Sequence, residues 1–126
     1  MRVLLVDDSK DILDLVGFII EKQGCEVVCA SSGQQALEII DNKKFDLIFL
    51  DVKMPEMDGI ETLKAIRQRG YSTPVVILTA FGDENIMKET EDLGIAGFVH
   101  KGKEVGFISE SVIALIRKFQ SKEEQK

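Results

Sequence analysis

Three acidic residues, a threonine and a lysine each stand at or just after the end of a short apolar segment. They are Asp7, Asp8, Asp51, Thr79 and Lys101. Carboxylates that are brought together repel one another and raise each other's pKa, so a cluster of three calls for cations. Mg²⁺ suits such a cluster because it binds hard oxygen ligands, takes one or two protein carboxylates and keeps several waters. The lysine adds a further positive charge.

A site of this composition is suited to receiving a phosphoryl group. The metal ion and the ammonium group offset the charge of the transferring oxygens while a carboxylate attacks in line. Asp51 is the candidate nucleophile because it is expected between the strand that carries the other acids and the strand that carries Thr79. The Thr79 hydroxyl can donate a hydrogen bond to a phosphoryl oxygen, and the small Ala80 leaves room for the group. The predicted product is an acyl phosphate on Asp51.

The apolar segments that position these residues alternate with stretches of helical spacing. The predicted strands are residues 2–6, 26–30, 47–50, 75–78 and 96–100. The runs at 47–50 and 75–78 are apolar throughout, which is typical of parallel strands covered by helices on both faces. Helical patterns follow each strand: the first begins after Ser9, the third covers Ile60 to Arg69, and the fourth, roughly Asp83 to Leu93, has the sparsest apolar face. We expect this fourth helix to be the least firmly packed.

Five strands alternating with five helices predict a doubly wound α/β domain with a five-stranded parallel sheet and right-handed crossovers. The flavodoxin-like strand order 2-1-3-4-5 suits five strands and places strand one beside strand three. All five candidate residues then lie at the carboxyl edge of the sheet. That edge is where open α/β sheets bind ligands.

The bulk properties narrow the functional classes. A chain of 126 residues is of single-domain size, and we expect one domain over residues 1–120 followed by a polar, frayed tail over 121–126. The net charge of -6 opposes direct nucleic-acid binding. No apolar run approaches the roughly 20 residues of a membrane span, and the N-terminus lacks a signal-peptide pattern. A cytoplasmic location without membrane association is expected.

Four segments of the chain resemble motifs of the response-regulator receiver domains of two-component signalling. They are Val6-Asp7-Asp8-Ser9, Leu50-Asp51-Val52-Lys53-Met54-Pro55-Glu56-Met57-Asp58-Gly59, Leu78-Thr79-Ala80 and Phe98-Val99-His100-Lys101. The resemblance covers essentially the whole chain and implies the fold of the chemotaxis response regulator. It also implies that Asp8 and Asp51 bind Mg²⁺ directly together with the main-chain carbonyl of Lys53, while Asp7 acts through water.

The resemblance further implies a phosphorylation-activated switch. Asp51 would accept its phosphoryl group from a phosphohistidine on a sensor histidine kinase or a histidine phosphotransfer protein. Thr79 and Phe98 would be the switch residues, and the face of helix four, strand five and helix five would signal to a downstream protein. Such a chain catalyses only its own phosphorylation and dephosphorylation, and it is expected to be monomeric, with dimerisation on phosphorylation left open.

Four positions differ from other family members or affect the details of the reaction. Family members usually carry proline, often after a cis bond, where this chain has Gly102, and the cost of a cis bond before glycine predicts a trans bond here. Phe98 lacks the hydroxyl of the tyrosine found in some members. Lys53 and Phe81 occupy positions that influence the dephosphorylation rate in the family.

Two alternatives remain open. The domain can be the receiver module of a longer multidomain regulator or hybrid kinase. From another class, a Mg²⁺-dependent phosphohydrolase also forms an aspartyl phosphate. Enzymes of the haloacid dehalogenase type, however, place a second acid two residues after the nucleophile, where this chain has Lys53. A pure interaction domain that has lost phosphorylation is disfavoured by the intact acids, threonine and lysine.

Overall fold

Strands and helices alternate along the part of the chain that the structure describes. The structure, a computed structural model, describes residues 1–80, 84–102 and 105–124. The elements are β1 Arg2–Val6, α1 Lys10–Lys22, β2 Glu26–Ala30, α2 Gly33–Ile40, β3 Leu47–Asp51, α3 Gly59–Gln68, β4 Val75–Thr79, α4 Glu84–Thr90, β5 Ile95–His100 and α5 Val105–Glu124, with a 3-10 turn at Glu91–Leu93 after α4. Phe81 and the predicted helix start at Asp83 lie outside the described residues.

The five strands form one parallel sheet in the order β2-β1-β3-β4-β5. This order confirms the predicted doubly wound fold. The register pairs Val6 with Leu50 and Thr79 with His100, so the strand ends that precede or carry the candidate residues lie level with one another. The carboxyl ends of β1, β3, β4 and β5 therefore share one edge.

Two apolar layers cover the sheet. Alternate residues of each strand point to opposite faces, so that Leu4 and Ile48 pack on the side of α2 and α3, while Leu5 and Phe49 pack on the side of α1 and α5. Every residue of β3 and β4 is buried. This burial on both faces explains why those two segments are continuous apolar runs.

The loop between β3 and α3 is fixed at its far end by a capping box. The Asp58 side chain accepts a hydrogen bond from the Glu61 main-chain N–H at 2.8 Å, and the Glu61 side chain accepts one from the Asp58 N–H. The Gly59 N–H donates to the Val52 carbonyl at 2.7 Å. A Cβ on Gly59 would collide with the main-chain carbonyl of Asp51, so only glycine fits where α3 starts against the end of β3.

An arginine joins the end of α3 to the segment after α4. The Arg67 side chain donates to the carbonyls of Leu93 at 2.7 Å, Tyr71 at 2.9 Å and Gly94 at 3.2 Å. Carbonyls at a helix end lack intrahelical partners, and the guanidinium supplies donors for several at once. Arg67 thereby holds the end of the 3-10 turn against α3.

The last helix is longer than predicted. It continues to Glu124, so residues 121–124 of the predicted polar tail are helical. Lysine and glutamate are good helix formers, and no glycine or proline interrupts the segment. The apolar spacing that marked the helix ends at Phe119, which is why the sequence pattern stopped too early.

Candidate functional site

The site is built around one lysine that reaches two buried carboxylates. Lys101 Nζ lies 3.0 Å from Asp7 Oδ2 and 2.8 Å from Asp51 Oδ1. The Asp7 and Asp51 side chains are 0% and 3% exposed, and that of Lys101 is 18% exposed. Three strands separated by up to 94 residues in the chain thus meet at the carboxyl edge of the sheet.

The surroundings of Asp51 disfavour the ionised form of its side chain. Burial raises the pKa of Asp51 from 3.8 to about 6; the Lys101 hydrogen bond acts against this rise, and the charges of Asp7 and Asp8 add to it. Burial by itself lowers the pKa of Lys101, but the hydrogen bonds to Asp51 and Asp7 outweigh it and leave that pKa above its ordinary value. The lysine is therefore a permanent cation, and the carboxylates outnumber it.

The excess of carboxylates fits a hard divalent cation. One oxygen each of Asp7, Asp8 and Asp51 lie within 4.8 Å of one another. Asp51 Oδ2 is buried and has no hydrogen-bond partner among the described residues, and Asp8 is exposed. A buried oxygen without a partner is costly, and a bound cation would satisfy it.

Asp7 differs from the other two acids because both of its oxygens are engaged. Oδ1 accepts a hydrogen bond from the Ser9 main-chain N–H at 2.9 Å, and Oδ2 contacts Lys101. Ser9 is the N-cap of α1, as its position in the sequence predicted. Asp7 is thus tied both to the start of α1 and to the lysine.

A cavity of about 110 Å³ opens beside Asp51. Its walls come from the ends of β3, β4 and β5, including Thr79, Ala80 and Lys101, and from Ile86 of α4. Thr79 is buried, and its carbonyl accepts a 2.7 Å hydrogen bond from the Lys101 N–H. Ile86 falls within the predicted fourth helix, but the sequence did not point to it as part of this site, because its place depends on how α4 packs over the sheet edge.

Phe98 lies outside this cavity. It is half-buried on β5, where it packs against the apolar cluster that also contains Ile86. It also lines a separate surface groove of about 420 Å³ between α4 and β5, together with Lys88 and Ile95. The predicted switch aromatic is therefore placed between the core and the outer surface.

The peptide bond between Lys101 and Gly102 is trans, as predicted. No peptide bond between residues described by the structure is cis, and the Lys101–Gly102 bond is among them. A Cβ on Gly102 would lie 2.7 Å from the Ala80 carbonyl oxygen, which is too close for any side chain. Gly102 therefore fits against Ala80 in this loop because it has no side chain.

Fold and site together define a doubly wound α/β domain with an acidic, lysine-bridged pocket at its carboxyl edge. A family model described as the response regulator receiver domain matches residues 3–112. The chain belongs to this family, the receiver domains of two-component signalling.

Relatives of several kinds share the domain. The chain is 46% identical over 83 residues to the transcriptional regulatory protein CpxR of Escherichia coli, a match that covers 66% of this chain and 35% of CpxR. It is 34% identical over 111 residues to sporulation initiation phosphotransferase F of Bacillus subtilis, covering 88% and 90%. A structure of the chemotaxis protein CheY4 of Vibrio cholerae superposes with a TM-score of 0.81 at 32% identity and covers 90% and 97%.

The chain spans about a third of the length of CpxR and most of the length of the phosphotransferase. None of the helices in the described parts of the chain combines the length and apolar character that crossing a bilayer requires.

Proposed function

We propose that this receiver domain is switched by transfer of a phosphoryl group from a phosphohistidine to Asp51 in a Mg²⁺-dependent reaction. The observation that carries the proposal is the state of the Asp51 carboxylate. One oxygen contacts Lys101, the other is buried without a partner among the described residues, and a cavity opens beside them. A structural carboxylate at a strand end would be expected to have both oxygens satisfied.

In the proposed step, an Asp51 carboxylate oxygen attacks the phosphorus atom and forms an O–P bond. The P–N bond to the donor imidazole breaks, and its electron pair stays on the imidazole nitrogen. Lys101 offsets the charge on the transferring group, and the Thr79 hydroxyl donates to one of its oxygens. Held by Asp8, Asp51 and the main-chain carbonyl of Lys53, Mg²⁺ would supply the remaining positive charge.

The contacts of Asp7 support a role through water. Its two oxygens already accept from the Ser9 N–H and from Lys101. Asp8 is exposed, and Asp51 Oδ2 has no hydrogen-bond partner among the described residues. These two carboxylates are therefore better placed than Asp7 to bind a cation directly. This division matches the ligand set that the family resemblance implies.

The proposed readout connects Thr79 and Phe98 through the packing of α4. Thr79 and Ile86 both line the cavity, and Ile86 and Phe98 belong to one apolar cluster. A change at Thr79 on phosphorylation would alter this cluster and hence the face of α4, β5 and α5, which we propose contacts the downstream protein. The cytoplasmic location and the monomeric state stay predictions.

Different observations bear on the two alternatives, a receiver module of a longer regulator and a Mg²⁺-dependent phosphohydrolase. The match to one third of CpxR favours a receiver module within a longer regulator, while the match to 90% of the phosphotransferase favours a stand-alone domain. A phosphohydrolase of the haloacid dehalogenase type needs a second acid two residues after the nucleophile. In this chain that residue is Lys53, and the Lys53 side chain is exposed.

The test is intact mass after incubation with acetyl phosphate and Mg²⁺. The wild type should gain one phosphoryl group, and the adduct should be lost in Asp51→Asn and in the presence of EDTA. A purified histidine phosphotransfer domain, phosphorylated beforehand, should transfer its group to the wild type alone. An adduct that persists in Asp51→Asn would contradict the assignment, and sustained turnover of a phosphomonoester would favour the phosphohydrolase.

A further inference from the structure

We infer that Ile86 controls the lifetime of the phosphoryl group by limiting the access of water to Asp51. The inference rests on the proposed function, since it concerns the loss of a group that Asp51 must first accept. It assigns a role in the reaction to a residue of α4 that lies 35 positions from Asp51 in the sequence.

The position of Ile86 is well determined by its contacts. The residue is 8% exposed and packs into the apolar cluster on the α2 and α3 side of the sheet. Its carbonyl accepts a 2.7 Å hydrogen bond from the hydroxyl of Thr90, which is fully buried. This bond lies within α4, and the burial of both residues places this side of the helix against the core, with Ile86 lining the cavity beside Asp51.

Because the cavity is small, the Ile86 wall affects how much water can lie beside Asp51. A volume of about 110 Å³ corresponds to three or four waters at roughly 30 Å³ each. A phosphoryl group on Asp51 would fill part of this space, and Ile86 would then be one of the walls that border the remaining water. Ile86 has no polar side-chain atom and cannot hold a water by a hydrogen bond, in contrast to Thr79 and Lys101 on the other walls.

Hydrolysis of the acyl phosphate requires such a water. Its oxygen attacks the phosphorus atom, the P–O bond to Asp51 breaks, and the electron pair returns to the carboxylate. The proton released by the water passes to the phosphate oxygens or to solvent, and the products are inorganic phosphate and free Asp51. An apolar wall that keeps water sparse slows this step without slowing attack by Asp51 itself.

The test is the decay of the phosphoryl adduct after the donor is removed, followed by intact mass. Ile86→Val and Ile86→Ala should hydrolyse progressively faster, with the alanine variant about tenfold faster than the wild type, a change of about 1.4 kcal/mol in the barrier. Ile86→Thr gives the sharper comparison because threonine and valine have similar size, but the hydroxyl can hold a water. The threonine variant should therefore decay faster than the valine variant.

Leu93→Ala is the matched control. Leu93 lies in the 3-10 turn after α4 and packs against the same apolar cluster, but it does not line the cavity. Its truncation should loosen the segment and leave the decay rate within about twofold of wild type, a difference of about 0.4 kcal/mol. Equal acceleration by Leu93→Ala and Ile86→Ala would overturn the inference, because general loosening would then explain both.

The two proposals fail in distinguishable ways. If the wild type takes up no phosphoryl group, the proposed function fails and this inference fails with it. If the adduct forms and decays at one rate in wild type, Ile86→Val and Ile86→Thr, the inference alone is overturned. The decay rates of Ile86→Val and Ile86→Thr test the inference even if Ile86→Ala does not fold.

Discussion

Replacing Asp51 with asparagine should stabilise the metal-free protein at pH 8. The carboxylate is 3% exposed, and its pKa of about 6 lies roughly two units above the ordinary 3.8. One pKa unit corresponds to about 1.4 kcal/mol. The ionised side chain therefore costs the folded state roughly 2 to 3 kcal/mol at pH 8, and the neutral amide removes that cost.

The pH dependence follows from the sign of the shift. Because the pKa is higher in the folded state, the folded protein binds more protons than the unfolded chain between about pH 4 and pH 6. The stability contributed by the protonated side chain is fully present below pH 3.8 and is lost as the pH rises through 6. The advantage of Asp51→Asn should thus be near zero at pH 3.5 to 4 and largest at pH 8.

Urea unfolding in EDTA measures this difference. With a slope of about 2 kcal/mol/M, the midpoint of Asp51→Asn should exceed that of the wild type by about 1 M at pH 8. Added Mg²⁺ should stabilise the wild type more than the variant and narrow the gap. Asp14→Asn, on the exposed face of α1, should leave the midpoint unchanged.

Two outcomes would refute this reasoning. The first is an Asp51→Asn protein that is no more stable than wild type in EDTA at pH 8. The second is a stability difference of the same size at pH 4 and pH 8, which would show that the effect does not come from the charge of Asp51.

Two further substitutions test the site and its loop. Lys101→Met leaves Asp7 and Asp51 without their shared cation, so phosphorylation by acetyl phosphate should slow by at least about tenfold, roughly 1.4 kcal/mol. The control Lys64→Met, on the exposed side of α3, should react at the wild-type rate. A Lys101→Met protein that reacts at the wild-type rate would contradict the role given to the lysine. Gly59→Ala should lose about 2 kcal/mol or more of stability in thermal unfolding, since the new methyl group meets the Asp51 carbonyl. In Gly106→Ala, at an open position near the start of α5, stability should stay the same or rise slightly, and equal losses in both alanine variants would argue against a specific collision.

The strand order and the meeting of Asp7, Asp51 and Lys101 could be predicted because they follow from topology. Once the strands are parallel, their carboxyl ends share an edge, and the residues after each strand are brought together whatever the details of packing. The trans bond before Gly102 was predictable for a similar reason, because it follows from the local cost of the cis form.

Other features depend on tertiary contacts that no sequence pattern carries. The place of Ile86 beside Asp51 requires the position of α4 on the sheet, and the three carbonyl contacts of Arg67 require the path of the chain after α4. The helical residues 121–124 were missed because amphipathic spacing marks only the part of a helix that packs. The direct ligands of the cation and the switch role of Phe98 stay predictions.

The close approach of Gly102 to the Ala80 carbonyl restricts how this protein can change over evolution. With the loop in its present shape, every substitution at residue 102 adds a Cβ at 2.7 Å from the carbonyl oxygen of Ala80, the residue that follows β4. A proline or any other side chain at residue 102 requires the backbone of the loop or of Ala80 to shift. In this chain, residue 102 and the path of the loop beside Ala80 are therefore expected to change together.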